Sequence, residues 1–104
     1  MAQYKVIMTE PAAQDLEEIA GYIASQFSAP MTAIKMIESI ENAVLGLSHM
    51  PQRCSFVDDE HLKAMGYRKL HIKNYIAFLV IDENSKIVCI ERILFSRRDW
   101  MHIL

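Results

Sequence analysis

The sequence predicts an α+β domain in the order strand-helix-helix-strand-strand-strand, a helical hairpin packed on a mainly antiparallel four-stranded sheet. Three observations predict it. Two successive stretches in the first half repeat apolar residues at spacings of three and four. The last two fifths, GYRKLHIKNYIAFLVIDENSKIVCIERILFSRRDW from Gly66 to Trp100, are dense in β-branched and aromatic residues and lose that period. Finally, 104 residues with 52% apolar content supply one core and too little for two, so residues 1–104 read as a single domain.

Each element follows from its own residues. Gln3 to Met8 (QYKVIM) reads as a short strand with Tyr4, Val6 and Met8 on one face. Thr9 is the expected N-cap of the first helix and Pro11 fits its first turn. Ala12, Leu16, Ile19, Ile23 and Phe27 then form one apolar stripe, which leaves Asp15, Glu17 and Glu18 in water. A break at Ser28-Ala29-Pro30 starts the second helix, whose stripe is Ala33, Ile37, Ile40, Val44 and Leu47 and which Pro51 should close. His49 to Met65 has no sustained period and reads as a connection with a helical turn near His61. Three strands follow, at Tyr67 to Lys73, Tyr75 to Asp82 and Lys86 to Phe95, the last two joined by the turn Asp82-Glu83-Asn84-Ser85. Arg98 to Leu104 is expected to add a short helical end. The helices should cover one face of the sheet and leave the other open.

Composition excludes several classes. Three Gly and three Pro leave no disordered or low-complexity segment. The longest nearly apolar run, Tyr75 to Ile81, is far below spanning length and the N-terminus lacks an apolar leader segment, so a cytoplasmic protein without membrane contact is expected. Cys54 and Cys89 offer neither a disulfide framework nor metal-ligand spacing, and no cofactor or metal is expected. There is no glycine-rich phosphate loop.

A net charge of -2 conceals a division. Residues 1–65 hold four cations against nine acids, whereas residues 66–104 hold seven cations against four acids. A sheet bearing positive charge is a counterpart for phosphate or for an acidic partner. In the strand Tyr67 to Lys73, alternation puts Arg68, Leu70 and Ile72 toward the helices and Lys69, His71 and Lys73 on the exposed face. Those three stand roughly 7 Å apart along the strand, comparable with the phosphate spacing of a nucleic-acid strand. An imidazole between two ammonium groups is biased toward its neutral form and could act as a base. A plain alternative is an edge strand blunted with lysines. Arg97 and Arg98, at the end of the last strand, could clamp a phosphate or close a salt-bridged terminus with Asp99 and Glu91. Arg68 and Arg92 share their parity with aliphatic residues, so each could instead brace the sheet. Trp100 reads as a core anchor and His102 as a surface residue.

YKVIMTEPAAQDLEEIAGYI, the hairpin ending LSHMP, GYRKLHIKNYIAFLVID and IERILFSRRDW, in that order, resemble a toxin of the RelE/ParE superfamily of bacterial type II toxin-antitoxin systems, the plasmid stabilisation proteins. The resemblance implies a small toxin neutralised by a cognate antitoxin protein. Nuclease members of the superfamily work on the ribosome and cut mRNA without a metal. Lys69, His71 and Arg97 resemble their catalytic set, with Arg68, Lys73, Arg92, Arg98 and His102 as nucleic-acid or target contacts. Tyr75 stands where those nucleases carry an arginine, their C-terminal tyrosine has no clear counterpart, and Phe95 replaces a common His or Tyr. The other branch inhibits DNA gyrase by protein contact and needs no catalytic set. The Lys69, His71 and Lys73 row favours ribosome-dependent mRNA cleavage; gyrase inhibition and a non-toxic orphan binding module are the alternatives.

Overall fold

The computed structural model describes residues 3–98, 100, 103 and 104. Strand β1 (Lys5–Met8) leads into helices α1 (Glu10–Gln26) and α2 (Pro30–Leu45). A short helix α3 (Glu60–Ala64) then precedes the strands β2 (Arg68–Ile72), β3 (Tyr75–Asp82) and β4 (Ile87–Phe95). The sheet order is β1-β4-β3-β2. β1 lies parallel to β4 and the other pairs are antiparallel, so the expected α+β architecture is present.

The helices begin and end for local reasons. The Thr9 hydroxyl accepts a hydrogen bond from the Ala12 amide at 3.1 Å, which satisfies one of the unpaired donors of the first turn of α1. Ala12, Ile19 and Ile23 are buried as the spacing requires, but Phe27 is 65% exposed, because the chain turns left-handed at Ser28 (φ 48°) just beyond it. α2 stops at Leu45, earlier than Pro51 would have closed it. The chain tightens into a 3-10 turn at Gly46–Ser48, which carries Leu47 into the core, and Pro51 opens a second such turn at Pro51–Arg53. The turn near His61 is α3, capped by the Asp59 carboxylate accepting from the Leu62 amide at 2.9 Å. Gly66 (φ 91°) ends it in the left-handed region that only glycine occupies without strain.

Two cores sandwich the sheet. Between helices and sheet lie Ala12, Ile19, Ile23, Ile40, Val44 and Leu47 against Tyr75, Ala77, Leu79, Val88, Ile90 and Ile93. The opposite face, expected to be open, carries a second cluster of Val57, Leu62, Ile76, Phe78 and Leu94, with Tyr67, Trp100, Ile103 and Leu104 packed on it. Trp100 is the anchor its type suggested, with its ring 5.0 Å from that of Phe78. β3 is therefore buried on both faces from Tyr75 to Leu79. The expected helical end from Arg98 to Leu104 falls partly outside the described residues; the amides of Ile103 and Leu104 donate to the Trp100 carbonyl.

One irregularity in β4 decides how helix and sheet meet. Phe78 pairs with Arg92 and Leu79 with Ile90, leaving Glu91 as an extra residue in a β-bulge. The bulge shifts the alternation, so Ile90 and Ile93 both reach the helix-side core. Arg92, between them and opposite Phe78, reaches Asp15 of α1, its Nε donating to Oδ2 at 2.8 Å and its Nη2 to Oδ1 at 2.9 Å. Asp15 is thus 5% exposed rather than solvated. Its Oδ2 also accepts the Ile93 amide at 2.9 Å, on the side of β4 that β1 no longer covers. The Thr9 hydroxyl likewise donates to the Glu91 carbonyl at 2.8 Å. Where β1 runs out, side chains at the start of α1 complete the pairing of β4.

At the other end of β1, Gln52 Nε2 donates to the Tyr4 hydroxyl at 2.6 Å and to Glu83 Oε2 at 3.0 Å, and the Tyr4 hydroxyl donates to Glu83 Oε1. The Tyr4 hydroxyl first, and then Gln52, hold the Glu83 carboxyl below the ordinary glutamate range. A carboxyl depressed on folding stabilises the fold above its unfolded pKa, and that stabilisation disappears as pH falls through the folded value. Urea midpoints measured from neutral to acid pH should fall less steeply for Glu83→Gln than for the wild type, and parallel profiles would remove Glu83 from the account. Asp15→Ala strands Arg92 and the Ile93 amide together and should cost about 3 kcal/mol in urea unfolding. A loss below about 1 kcal/mol would mean that the pair is not a main tie between α1 and β4.

Candidate functional site

The cations nominated from the sequence separate into three groups. Arg68 and Arg92 are braces. Arg68 Nη1 donates to the carbonyls of Cys54 at 2.7 Å and Gln52 at 3.2 Å, and its guanidinium lies 3.9 Å from the Phe56 ring centroid. It fastens the 52–56 connection along β2. Arg92 is held by Asp15, whose hydrogen bonds raise its pKa further. Neither guanidinium is the free docking cation nominated from the sequence.

Lys69 and His71 remain on β2, on the face opposite the helices. Their cross-strand partners are Phe78 and Ile76, and Leu94 stands across from Ile76 on β4. All three are members of the second core. Lys73 leaves the row: with φ 55° it sits in the two-residue turn with Asn74 that joins β2 to β3. The continuous line of three cations therefore does not form, and only Lys69 and His71 share a strand face.

The third group gathers at one end of the sheet. The Ser96 amide donates to the Asn74 carbonyl at 2.8 Å, which sets the Lys73-Asn74 turn beside the turn after β4. Lys73, Arg97 and Arg98 are all exposed there, and no ion pair between described residues engages them. His102 lies outside the described residues. Beside this basic end a cleft of about 410 Å³ opens between α1 and the ends of β3 and β4, with Tyr22, Tyr75, Phe95, Glu18 and Arg98 in its walls. Tyr75 and Phe95 meet edge to face at 5.9 Å, and Tyr22 meets Phe27 in the same way at 5.9 Å. An aromatic cleft rimmed by arginine suits a partner presenting apolar and acidic side chains together. The cleft leaves no signal in the sequence, because Tyr22 lies off the apolar stripe of α1 and only folding brings it to Tyr75 and Phe95.

On the same outer face as Lys69, but toward β1, three polar groups form a small cluster. Cys89 Sγ donates to Glu91 Oε2 at 3.0 Å, and burial, then the negative charge of Glu91, raise the Tyr67 hydroxyl above the ordinary tyrosine range. Burial, then the hydrogen bond and negative charge of Glu91, push the Cys89 thiol up to about 11. Among the described residues no group of three or more His, Cys, Asp or Glu could hold a metal ion, and no helix is long and apolar enough to cross a membrane.

The sequence model of the ParE toxin of type II toxin-antitoxin systems, parDE, matches residues 6–100. The chain belongs to the ParE toxin family. Its fold is similar to that of the chromosomal ParDE toxin-antitoxin system from P. aeruginosa, with a TM-score of 0.76 at 21% identity over 93% of this chain and 100% of that one. The RelBE2 toxin-antitoxin complex from Mycobacterium tuberculosis gives 0.67 at 19% identity, covering 89% of this chain and 98% of that one. The archaeal RelE-RelB complex from Pyrococcus horikoshii gives 0.54 at 11%, covering 94% and 99%. No curated protein sequence matches the chain significantly. The ParE-family fold and the RelE fold are thus shared at identities where only architecture is retained.

The Cys89 environment of this ParE-family chain can be tested directly. A thiol raised to about 11 holds much less thiolate near neutrality than a free one, so iodoacetamide at pH 8 should modify Cys89 at least about tenfold more slowly than free cysteine. Glu91→Gln removes the negative charge and should speed the reaction, followed by peptide mass spectrometry. Equal rates for wild type and variant would mean that Glu91 does not govern the thiol.

Proposed function

We propose that this toxin arrests growth by protein contact, with DNA gyrase as its target and a cognate antitoxin as its neutralising partner. The observation that carries the reading is what lies around Lys69 and His71. Ile76, Phe78 and Leu94 face them across the sheet, and Trp100 packs over Phe78. Acid-base cleavage of RNA needs polar groups converging on one phosphate and its leaving oxygen. Here the positions beside His71 belong to a hydrophobic core, while Arg97 and Arg98, in no ion pair among the described residues, lie at the end of the sheet. Such an arrangement serves contact better than catalysis. The antitoxin is supported by family membership and by the relatives of similar fold, which are toxin-antitoxin systems and complexes.

The purified chain should inhibit DNA supercoiling by gyrase in vitro. Arg97→Ala with Arg98→Ala should weaken that inhibition about tenfold, a loss of about 1.4 kcal/mol at a contact rim. His71→Ala should leave it unchanged. Induced in cells without a partner, the chain should arrest growth and create no new 5′ ends inside translated reading frames. Translation-dependent cleavage that disappears on Lys69→Ala or His71→Ala would replace this reading with ribosome-dependent mRNA cleavage. Normal growth with soluble, folded protein would leave the non-toxic binding module.

A further inference from the structure

The cleft at the basic end has walls that folding fixes in place. Tyr75 of β3 and Phe95 of β4 are partners across the sheet, and Tyr22 of α1 lines the same cleft. Tyr75 is buried, whereas Tyr22 and Phe95 are 56% and 42% exposed, so two of the three rings offer open surface to an occupant. Trp100, Ile103 and Leu104 pack on the opposite face of the sheet and so do not fill it. A volume of about 410 Å³ lies within the range of about 300 to 1,000 Å³ that holds small ligands.

The charged groups of the cleft narrow the choice of occupant. Asp15 is already engaged, both of its oxygens by Arg92 and one also by the Ile93 amide. Glu18, three residues further along α1, is exposed, and its carboxylate is in no ion pair among the described residues. The Arg98 amide donates to the Phe95 carbonyl at 3.0 Å, a turn that sets the Arg98 guanidinium in the same cleft. Glu18 and Arg98 thus line one cavity without pairing with each other, which leaves an acceptor and a cation for a third group. Lys73 and Arg97 stand exposed at the same end of the sheet.

We propose that this cleft binds a free guanine nucleotide. The planar base stacks on Tyr22 and Phe95. Its N1–H and N2 amino group point the same way and donate to the two oxygens of Glu18, the paired geometry a carboxylate accepts best. The phosphates lie outward on Arg98, with Lys73 and Arg97 beyond it. Uracil flanks its one ring N–H with carbonyl oxygens, which the Glu18 carboxylate repels. An acidic peptide satisfies Arg98 but sets its own charge against Glu18. The site lies on the helix side of the sheet, away from Lys69 and His71 on the outer face.

Calorimetry on the purified full chain with GDP, UDP and guanosine, paired with NMR of the isotope-labelled protein, tests this. GDP should bind at least about tenfold more tightly than UDP and shift the signals of Glu18, Tyr22 and Arg98. Guanosine, which lacks phosphate, should bind more weakly than GDP. Glu18→Gln should erase most of the preference for GDP over UDP, whereas Arg98→Ala should weaken both about tenfold and keep the preference. Tyr22→Ala should lower the affinity for GDP about tenfold. All three side chains are exposed, so the variants should keep the fold, which thermal melts check. GDP binding weaker than about 1 mM, equal affinity for GDP and UDP, or shifts confined to Lys69 and His71 would overturn the proposal. Tighter binding of a short single-stranded RNA than of GDP at these residues would overturn it in favour of a strand-binding surface. The readout involves neither growth arrest nor gyrase, so it stands or falls apart from the function proposed above.

Discussion

The Asp15 carboxylate is the point on which the layers of this molecule depend. β1 is only four residues long, and β4 continues well past it, so the middle of β4 would otherwise expose backbone groups inside the protein. Asp15 takes the Ile93 amide and both donor positions of Arg92, while Thr9 takes the Glu91 carbonyl. A helix start thereby acts as the continuation of a strand. The pairing of β4 with β3 is itself irregular at this point, where Glu91 is the extra residue. A buried carboxylate without a partner would be costly, and the Arg92 guanidinium offsets that cost.

The same bulge divides the outer face into unlike territories. On one side Leu94, Phe78 and Ile76 continue the alternation into an apolar cluster under Trp100. On the other, Cys89, Glu91 and Tyr67 form a polar group. Lys69 stays on β2, and the exposed cations Lys73, Arg97 and Arg98 lie beyond the strands at one end of the sheet. The polar cluster and the basic end thus occupy separate places on a 104-residue chain.

Much of this was legible in the residues, and what was hidden was hidden for definite reasons. The stripes of α1 and α2, the cap at Thr9 and the bounds of β3 follow from period and turn chemistry, which are local. The burial of Asp15 is not local: a carboxylate on a polar helix face is normally solvated, and its partner lies 77 residues away. The face of Arg92 was ambiguous because both sides of β4 are apolar, and a bulge leaves no compositional signal in such a strand. Lys73 read as the third member of a strand row because the turn it occupies contains no glycine, although its φ is left-handed. The second core escaped notice because it joins Val57 and Leu62 to Trp100, Ile103 and Leu104, short stretches with no period of their own.

The pairing of Lys5 with Ile87 and of Met8 with Ile90 carries a consequence for synthesis on the ribosome. The first strand must wait for the last before it has a neighbour. Closing so long a loop is a late event, and strands without partners are exposed surface meanwhile. The helical hairpin, whose contacts are local, can assemble as it emerges from the exit tunnel. The sheet that positions the basic end and the aromatic cleft becomes complete only after β4 has been translated. Both surfaces therefore mature together, at the moment β4 takes its place between β1 and β3.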